Sequence, residues 1–176
     1  MRDLARLIVE VPDYPKPGVV FRYITPLLAS SGGFAAAVTA LAGISPRPVD
    51  VVVGIEARGF LFGAPVALTL GAGFVPVRKP AKLPRAVETV TYDLEYGTET
   101  LAVHRDAFAA GSRVLVVDDV LATGGTVLAT AELVARLGGR LAGVSLFTEL
   151  SHLGGRERLD AAGVGPVAAV LSLDAP

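Results

Sequence analysis

Two adjacent acidic residues, Asp118 and Asp119, directly follow the apolar run 114–117. A buried strand rarely ends in two neighbouring negative charges unless a ligand uses them, because burying an unpaired carboxylate costs free energy. In an open parallel sheet, ligands bind beyond the carboxyl ends of the strands. Carboxylates in that place accept strong, charge-assisted hydrogen bonds from hydroxyl groups. The pair therefore favours a sugar diol as its ligand.

A loop of small and hydroxyl-bearing residues follows the acidic pair and leads into a predicted helix. Its members are Ala122, Thr123, Gly124, Gly125 and Thr126. Backbone N–H groups in a glycine-containing turn converge on anions, and a helix N-terminus adds partial positive charge. The loop fits a phosphate group, so the two features together predict a ribose 5-phosphate site. An acidic turn with a capped helix and a magnesium-binding acid pair stay open as alternatives.

Alternating strands and helices are predicted to position these residues. Apolar β-branched runs predict buried strands, and longer periodic segments predict helices. The predicted strands are 51–55, 73–77, 114–117, 141–147 and 167–173, with a hairpin of 90–96 and 100–103, and the predicted helices are 2–10, 34–41, 61–70 and 126–137. This spacing predicts an α/β fold with a parallel sheet covered by helices on both faces. No repeat or linker interrupts the pattern, so we expect residues 1–176 to form a single domain.

Composition narrows the classes of function. The chain has 176 residues, a formal net charge of −1, no cysteine and two histidines. These counts exclude nucleic-acid binding through bulk charge, disulfides, thiolate catalysis and cysteine-based zinc sites. No secretory signal is visible. The uncharged segments 23–46 and 59–77 are interrupted by Gly and Pro, which favours buried helices of a soluble, cytoplasmic protein over membrane spans.

The segment 114–126, an apolar strand followed by two acids and a Thr-Gly-Gly-Thr loop, resembles the signature of type I phosphoribosyltransferases. The resemblance implies a central parallel sheet flanked by helices, a small N-terminal hood at about 1–33 and a flexible catalytic loop with its hairpin at about 78–100. Four further stretches resemble the adenine-specific branch of that family, in the same order along the chain: FRYITP at 21–26, GIEARGF at 54–60, RKPAKLP at 78–84 with YDLEYG at 92–97, and ELSHLGGRE at 149–157.

The resemblance assigns three basic residues to pyrophosphate, which needs fixed cations because it carries several negative charges. Arg58 follows a predicted strand and offers a bidentate guanidinium. Arg78 and Lys82 belong to a loop that would close as a lid and exclude water. Ordinary surface positions would explain the same residues without a ligand. The resemblance also implies a cis peptide bond between Glu56 and Ala57.

The base site and the proton-transfer group are also assigned by the resemblance. Phe21 would stack on the purine, Arg22 would meet the base edge through its backbone, and Phe147 would contact the other face of the base. Tyr23 departs from the family, which commonly has Asp there. Glu95, on an alternating strand, is the candidate general acid/base. A core position for Phe21 and an exposed strand position for Glu95 stay open as alternatives.

The implied reaction joins adenine to 5-phosphoribosyl 1-pyrophosphate and gives AMP and pyrophosphate, as in purine salvage. Mg²⁺ would be held mainly by substrate and water. A homodimer with no nucleic-acid or membrane partner is also implied. Two alternatives stay open: a xanthine or hypoxanthine phosphoribosyltransferase, and a non-catalytic nucleotide-binding regulator of the same fold. Adenine presents an amine donor where 6-oxopurines present an acceptor, so the contacts at the base edge would differ.

Overall fold

A five-stranded parallel sheet forms the centre of the structure. The computed structural model describes residues 2–93 and 97–173. The strands of the sheet are β3 (Val51–Ile55), β4 (Gly73–Val77), β7 (Arg113–Leu121), β8 (Arg140–Leu150) and β9 (Val167–Leu173). They lie in the order β4-β3-β7-β8-β9, and each neighbouring pair is parallel. The α/β fold with a central parallel sheet is thus confirmed.

Helices and two antiparallel hairpins surround the sheet. The helices are α1 (Arg2–Ala5), α2 (Thr25–Ala29), α3 (Ser31–Ile44), α4 (Arg58–Leu70), α5 (Gly125–Arg136) and α6 (Gly155–Ala161). The hairpins pair β1 (Val9–Val11) with β2 (Phe21–Tyr23), and β5 (Val87–Asp93) with β6 (Thr98–His104). Across residues 2–93 and 97–173, none of the helices is long and apolar enough to cross a bilayer.

The sheet separates two hydrophobic layers, and alternate residues of β7 belong to each. Leu115 packs in the layer that contains Phe62 of α4, whereas Val116 packs in the layer that contains Leu133 of α5. Because successive side chains of a strand point to opposite faces, an unbroken apolar run is what a strand buried on both sides requires. This packing fixes β7 in the middle of the sheet and presents its carboxyl end to the edge where the functional residues lie.

Several predicted boundaries were wrong, among them those of the first helix and of β7. The amphipathic pattern of residues 2–10 predicted one helix, but α1 ends at Ala5 because Val9–Val11 pairs with Phe21–Tyr23 instead. Strand β7 was predicted to end at residue 117, but it continues to Leu121 because β8 keeps pairing with it. The two acids therefore lie within the paired part of β7, not after its end. The predicted bounds of β3, β4 and β9 are confirmed.

Candidate active site

The carboxyl ends of β3 and β7 meet at one edge of the sheet and form a cleft of about 230 Å³. Gly54 of β3 pairs with Val117 of β7, so the residues that follow each of them become neighbours. The peptide bond between Glu56 and Ala57 is cis, as the family resemblance implied. The cleft is lined by the end of β3, the acids of β7, the start of α5 and one face of the β5–β6 hairpin.

Asp118 and Asp119 lie on the floor of this cleft and are both buried. Asp119 Oδ2 lies 3.0 Å from Arg58 Nε, and Asp118 Oδ1 accepts a 2.9 Å hydrogen bond from the backbone N–H of Asp119. Burial raises the pKa of Asp118 well above its ordinary value, and the charge of Asp119 raises it further. Burial also raises the pKa of Asp119, although the Arg58 guanidinium opposes that shift. Both shifts show that the buried pair disfavours carrying two full negative charges.

A glycine in the first turn of α4 makes room for Asp118. A Cβ added to Gly59 would lie 2.7 Å from Asp118 Oδ1 and 3.1 Å from the carbonyl oxygen of Val117. Because the backbone of α4 approaches the acid this closely, a side chain at that position would displace the carboxylate. Within the sequence GIEARGF, Arg58 therefore contacts Asp119, and the missing side chain of Gly59 leaves space for Asp118.

The loop predicted to bind phosphate, residues 122–126, forms the wall next to the acids and is called the phosphate loop below. Gly124 adopts φ +80°, a left-handed conformation that favours glycine, and α5 begins at the next residue. The first N–H groups of a helix have no intrahelical partner, so they are free to bind an anion. All five residues predicted for the 5′-phosphate line the cleft: Ala122, Thr123, Gly124, Gly125 and Thr126.

The two predicted lid cations, Arg78 and Lys82, both donate hydrogen bonds to the carboxylate of Glu56. Arg78 donates to Glu56 from Nε at 3.2 Å and from Nη2 at 3.3 Å, and Lys82 Nζ donates to it at 2.7 Å. The backbone N–H of Lys79 adds a 3.1 Å hydrogen bond to the same carboxylate. The hydrogen bond from Lys82 and, after it, that from Arg78 lower the pKa of Glu56 to about 2, against the opposing effect of burial. Glu56 thus occupies a nest of donors of the kind that an anion needs.

The β5–β6 hairpin supplies the opposite wall through Tyr92 and Glu99. Tyr92 donates to Glu99 Oε2 at 3.0 Å, and its hydroxyl lies 3.2 Å from the hydroxyl of Thr126. Lys79 forms an ion pair with Glu99. The hydrogen bond from Lys79 lowers the pKa of Glu99, whereas burial raises the pKa of Tyr92. These contacts join the lid, the hairpin and the phosphate loop around one cleft.

Glu95, the predicted general acid/base, lies outside the described residues, as do its neighbours 94 and 96. The described strands on either side of it are Val87–Asp93 and Thr98–His104. Its role stays a prediction.

A second cavity, of about 200 Å³, adjoins the acids and is lined mainly by apolar side chains. Phe21 is half-buried on its wall, with the Arg58 guanidinium 5.1 Å from the ring centroid and the Tyr14 ring at 5.2 Å in an edge-to-face arrangement. Arg22 also lines the cavity, and its side chain pairs with Glu10. An aromatic wall beside an apolar cavity can hold a planar base by stacking.

Phe147 is the one predicted base contact that the structure places elsewhere among the described residues. Its side chain is fully buried in the core, where its ring stacks on Phe62 with centroids 5.0 Å apart. The neighbouring Thr148 lines the second cavity instead and donates a 2.8 Å hydrogen bond to the carbonyl oxygen of Asp119. The structure therefore does not bring Phe147 to this cavity, because successive residues of a strand face opposite sides.

Sequence reasoning missed three residues of the cleft, namely Glu56, Tyr92 and Glu99. Glu56 was noted only for its peptide bond, although a carboxylate two residues from Arg58 at the end of a buried strand was a usable signal. Tyr92 and Glu99 pair directly across the hairpin. That pairing follows from the hairpin register, which the exact end of each strand decides. No group of three or more His, Cys, Asp or Glu side chains suited to a metal ion is found in the described part of the chain.

Comparison with known proteins agrees with this geometry. Residues 28–160 match the model of the phosphoribosyl transferase domain. The adenine phosphoribosyltransferase of Cutibacterium acnes is 62% identical over 97% of this chain and 96% of its own. The structure of adenine phosphoribosyltransferase from Thermoanaerobacter pseudethanolicus matches with a TM-score of 0.93 at 45% identity, over 98% of this chain and 99% of that one.

A solved structure with bound ligands is also similar. Adenine phosphoribosyltransferase from Saccharomyces cerevisiae, complexed with an imino-altritol bisphosphate and adenine, matches with a TM-score of 0.90 at 37% identity over 97% of both chains. The matched region of this chain contains the acidic pair, the phosphate loop, the lid cations and the aromatic wall. This chain belongs to the adenine phosphoribosyltransferase family.

Proposed function

We propose that this protein transfers the phosphoribosyl group of 5-phosphoribosyl 1-pyrophosphate to adenine, giving AMP and pyrophosphate. The observation that carries the proposal is the junction of the two cavities at Arg58. This residue contacts Asp119 in the polar cleft and lies over Phe21 in the apolar one. A ribose with a phosphate at one end and a purine at the other needs such a pair of adjoining sites.

The polar cleft would bind the sugar phosphate by its two ends. Asp118 and Asp119 accept hydrogen bonds from the ribose diol, and the N–H groups of the phosphate loop donate to the 5′-phosphate. This binding energy is gained at the unreactive end of the substrate, and it aligns the anomeric carbon between the two cavities. The diol also supplies the donors that the buried acids need.

The lid cations would bind the departing pyrophosphate. Arg78 and Lys82 contact Glu56 in the free protein, and a pyrophosphate group carries more negative charge than one carboxylate. The cations would stabilise the charge that develops on pyrophosphate as its bond to the anomeric carbon breaks and the new bond to the base nitrogen forms. Mg²⁺, when bound, would neutralise pyrophosphate charge and would be held mainly by oxygens of the substrate and by water.

The base would enter the apolar cavity against Phe21 and attack the anomeric carbon from the face opposite pyrophosphate. Glu95 would manage the proton that the base loses or gains during transfer. A backbone contact from Arg22 would read the base edge, and a neutral aromatic wall would exclude water from the reacting centre.

The oligomeric state and the compartment complete the proposal. We propose a homodimer, supported by large apolar side chains that are exposed on the chain, among them Val9, Tyr23, Leu61 and Leu68. Exposed apolar patches of this kind commonly mark protein interfaces. The reaction would take place in the cytoplasm as a step of purine salvage.

One assay tests the proposal. The purified protein is incubated with 5-phosphoribosyl 1-pyrophosphate and with adenine, hypoxanthine or xanthine in turn, with Mg²⁺ and with a chelator. We expect nucleotide from adenine alone and only with Mg²⁺. Nucleotide from a 6-oxopurine would support the alternative enzyme instead. AMP binding without turnover of any base would indicate a regulator and would refute catalysis.

The role of Glu95 is tested in the same assay. Replacing Glu95 with Gln keeps the shape of the side chain and removes its ability to exchange a proton. We expect kcat to fall by about 10²–10⁴, the usual contribution of general acid/base catalysis, with AMP affinity preserved. Unchanged turnover would remove Glu95 from the mechanism without affecting the assignment of the reaction.

A further inference from the structure

One side chain of the β5–β6 hairpin, Tyr92, lies against the phosphate loop. Its ring packs over Gly125, where an added Cβ would lie 3.3 Å from the nearest ring atom. Its hydroxyl lies 3.2 Å from the Thr126 hydroxyl. Tyr92 is only partly exposed and stands three positions before Glu95 in the chain. The hairpin that carries the proposed acid/base is therefore attached to the loop that is proposed to hold the 5′-phosphate.

Counting protons gives the direction of these hydrogen bonds. The Tyr92 oxygen lies 3.0 Å from a carboxylate oxygen of Glu99, which is ionised at neutral pH because Lys79 lowers its pKa. An ionised carboxylate accepts hydrogen bonds and cannot donate them, so Tyr92 gives its single proton to Glu99. The contact between Tyr92 and Thr126 must then be donated by Thr126.

A bound phosphate competes for the same proton. A hydroxyl that meets a phosphate oxygen has to donate, and Thr126 has one proton to give. A doubly charged phosphate is a stronger acceptor than a neutral phenol. When the phosphate loop is occupied, the Thr126 hydroxyl therefore turns from Tyr92 to the phosphate, and the hairpin loses this contact with the loop.

We propose that Tyr92 is a positioning residue that hydrogen-bonds the β5–β6 hairpin to the phosphate loop in the free protein and loses this hydrogen bond when a 5′-phosphate takes the Thr126 hydroxyl, while the buried side chains of the hairpin stay packed in the core. The inference rests on the proposed function, since it assumes that the loop binds this phosphate. It goes further by stating that the bound phosphate and Tyr92 compete for one hydroxyl proton of the loop. This competition weakens phosphate binding, because the hydrogen bond from Thr126 to Tyr92 is lost when the one from Thr126 to the phosphate forms.

The test replaces Tyr92 with Phe, which keeps the ring on Gly125 and removes the hydroxyl. Thr126 then has no hydrogen bond to Tyr92 to give up when phosphate binds. We therefore expect AMP to bind about twofold to tenfold more tightly, which corresponds to the free energy of one ordinary hydrogen bond. Adenosine, which lacks the phosphate, is expected to bind with unchanged affinity. Both are measured by titration calorimetry. General damage to the hairpin would weaken binding, so the sign of the change separates the proposal from a merely structural role.

Two further variants serve as controls. Thr91 and Thr100 join their hydroxyls at 2.8 Å across the same hairpin, and neither lines the cleft, so Thr91→Val loosens the hairpin without touching the loop. We expect wild-type AMP affinity from it. In a Thr126→Val background, Tyr92→Phe should have no effect on AMP affinity, because the hydroxyl that mediates the coupling is gone.

The outcomes separate this inference from the proposed function. A wild-type protein that forms AMP, together with a Tyr92→Phe variant whose AMP affinity is unchanged or weaker, overturns the exchange of partners and leaves the reaction intact. Equal tightening of AMP and adenosine binding also overturns it, because the effect would not depend on the phosphate. A wild-type protein that neither forms nor binds AMP refutes the proposed function and the inference together.

Discussion

The cations assigned to the substrates each hold a carboxylate of the protein in the free state. Arg58 contacts Asp119, and Arg78 and Lys82 contact Glu56. Pairing lowers the cost of keeping these charges in a partly buried cleft, and it means that a substrate group must replace an existing partner. Asp118 differs, because its direct partner is a backbone N–H and burial is the main influence on its pKa. Among these carboxylates, the buried charge of Asp118 is therefore expected to cost the folded protein the most free energy.

Replacing Asp118 with Asn is expected to stabilise the fold and to impair the reaction. Asn keeps the shape and an oxygen that accepts from the Asp119 N–H, but it removes the buried charge. We expect a gain of ~1–3 kcal/mol in the free energy of unfolding near neutral pH. The loss of a charge-assisted hydrogen bond to the ribose should lower kcat/KM by about 10–100-fold. Urea unfolding and the AMP-forming assay measure the two effects.

The pH dependence of this gain has a defined sign. The folded-state pKa of Asp118 is raised above the ordinary value of 3.8, so ionisation destabilises the folded protein. The gain of the Asn variant should be full above the raised pKa and should vanish below the ordinary one. Asp50 is the matched control, since its pKa is lowered to about 2 by Arg113 and Asp50→Asn should not stabilise. A destabilised Asp118→Asn protein at neutral pH would contradict the prediction.

The grouping of single residues could be predicted from the sequence where residue type and spacing coincide. Asp118, Asp119 and the phosphate loop lie together in the cleft, as their order along the chain predicted. Phe147 was misplaced because a strand offers two faces, and only the packed structure decides which face meets the ligand. Glu56 escaped notice because its partners, Arg78 and Lys82, are 22 and 26 residues away.

At the scale of elements, the phosphate loop rests on α6. A Cβ added to Gly155, the first residue of α6, would lie 2.2 Å from the carbonyl oxygen of Ala122, and one added to Gly124 would lie 3.1 Å from the carbonyl oxygen of Gly155. Arg156 ties the same helix to the sheet through Glu149 and through the carbonyl oxygen of Val167. The loop thus owes its shape to two glycines and to a helix that does not itself line the cleft.

Replacing Gly155 with Ala is expected to push α6 away from the phosphate loop. Overpacking against backbone atoms should cost about 1–3 kcal/mol of unfolding free energy, and AMP affinity should fall because the loop shifts. Gly43→Ala in α3 is the control, since its added Cβ meets no atom within 4 Å. It should keep AMP affinity and gain up to ~1 kcal/mol. Thermal unfolding and AMP titration of both variants check the prediction, and an unaltered Gly155→Ala protein would oppose it.

The lid is expected to stay attached to Glu56 over the whole physiological pH range. The folded-state pKa of Glu56 is lowered from 4.5 to about 2, so the attachment adds stability above the ordinary pKa and loses it as the pH falls towards the lowered one. Lys82 is half exposed, so its charge is screened and the contribution is on the order of 1 kcal/mol. The difference in unfolding free energy between wild type and Glu56→Gln should be constant at higher pH and shrink only in acid. A difference that disappears already near neutral pH would contradict the attachment.

Elements differ in how far their sequence determines them. Strand β3 matched its predicted bounds because an apolar β-branched run buried on both faces has few alternatives. The bounds of the edge strands β4 and β9 also matched, although these strands are only partly buried. Residues 2–10 have a helical pattern, but β1 forms because a partner strand lies at Phe21–Tyr23. Helix α6 has seven residues and depends on contacts with β8 and the phosphate loop. Helices and strands that form through contacts with distant parts of the chain therefore have only a weak pattern in their own sequence.

At the scale of the whole molecule, exposed apolar side chains lie around α4 and the first hairpin. Leu68 is 83% exposed and Leu61 43%, while Val9 and Tyr23 are 45% and 42% exposed. Tyr23 and Leu61 also line an apolar cavity of about 430 Å³ with Val11. A surface of this character is expected to be covered by a second copy of the chain.

Light scattering after size-exclusion chromatography tests the homodimer. We expect a mass of about twice the 18.1 kDa of one chain. Leu61→Glu should shift the mass towards one chain, because a charge would be buried in the interface. Ile44→Glu, at the end of α3 and 36% exposed, should leave the mass unchanged. A single-chain mass for the wild type at micromolar concentration would refute the dimer.

A short backbone pairing links the predicted lid to the second hairpin. The backbone of Arg78, where the lid begins, exchanges hydrogen bonds of 2.9 and 2.7 Å with Ala102 of β6. The root of the lid is thus a short stretch of antiparallel sheet shared with the arm that bears Glu95. We therefore expect a displacement of the lid segment to shift β6 with it, so that pyrophosphate binding and the placement of the second hairpin would change together.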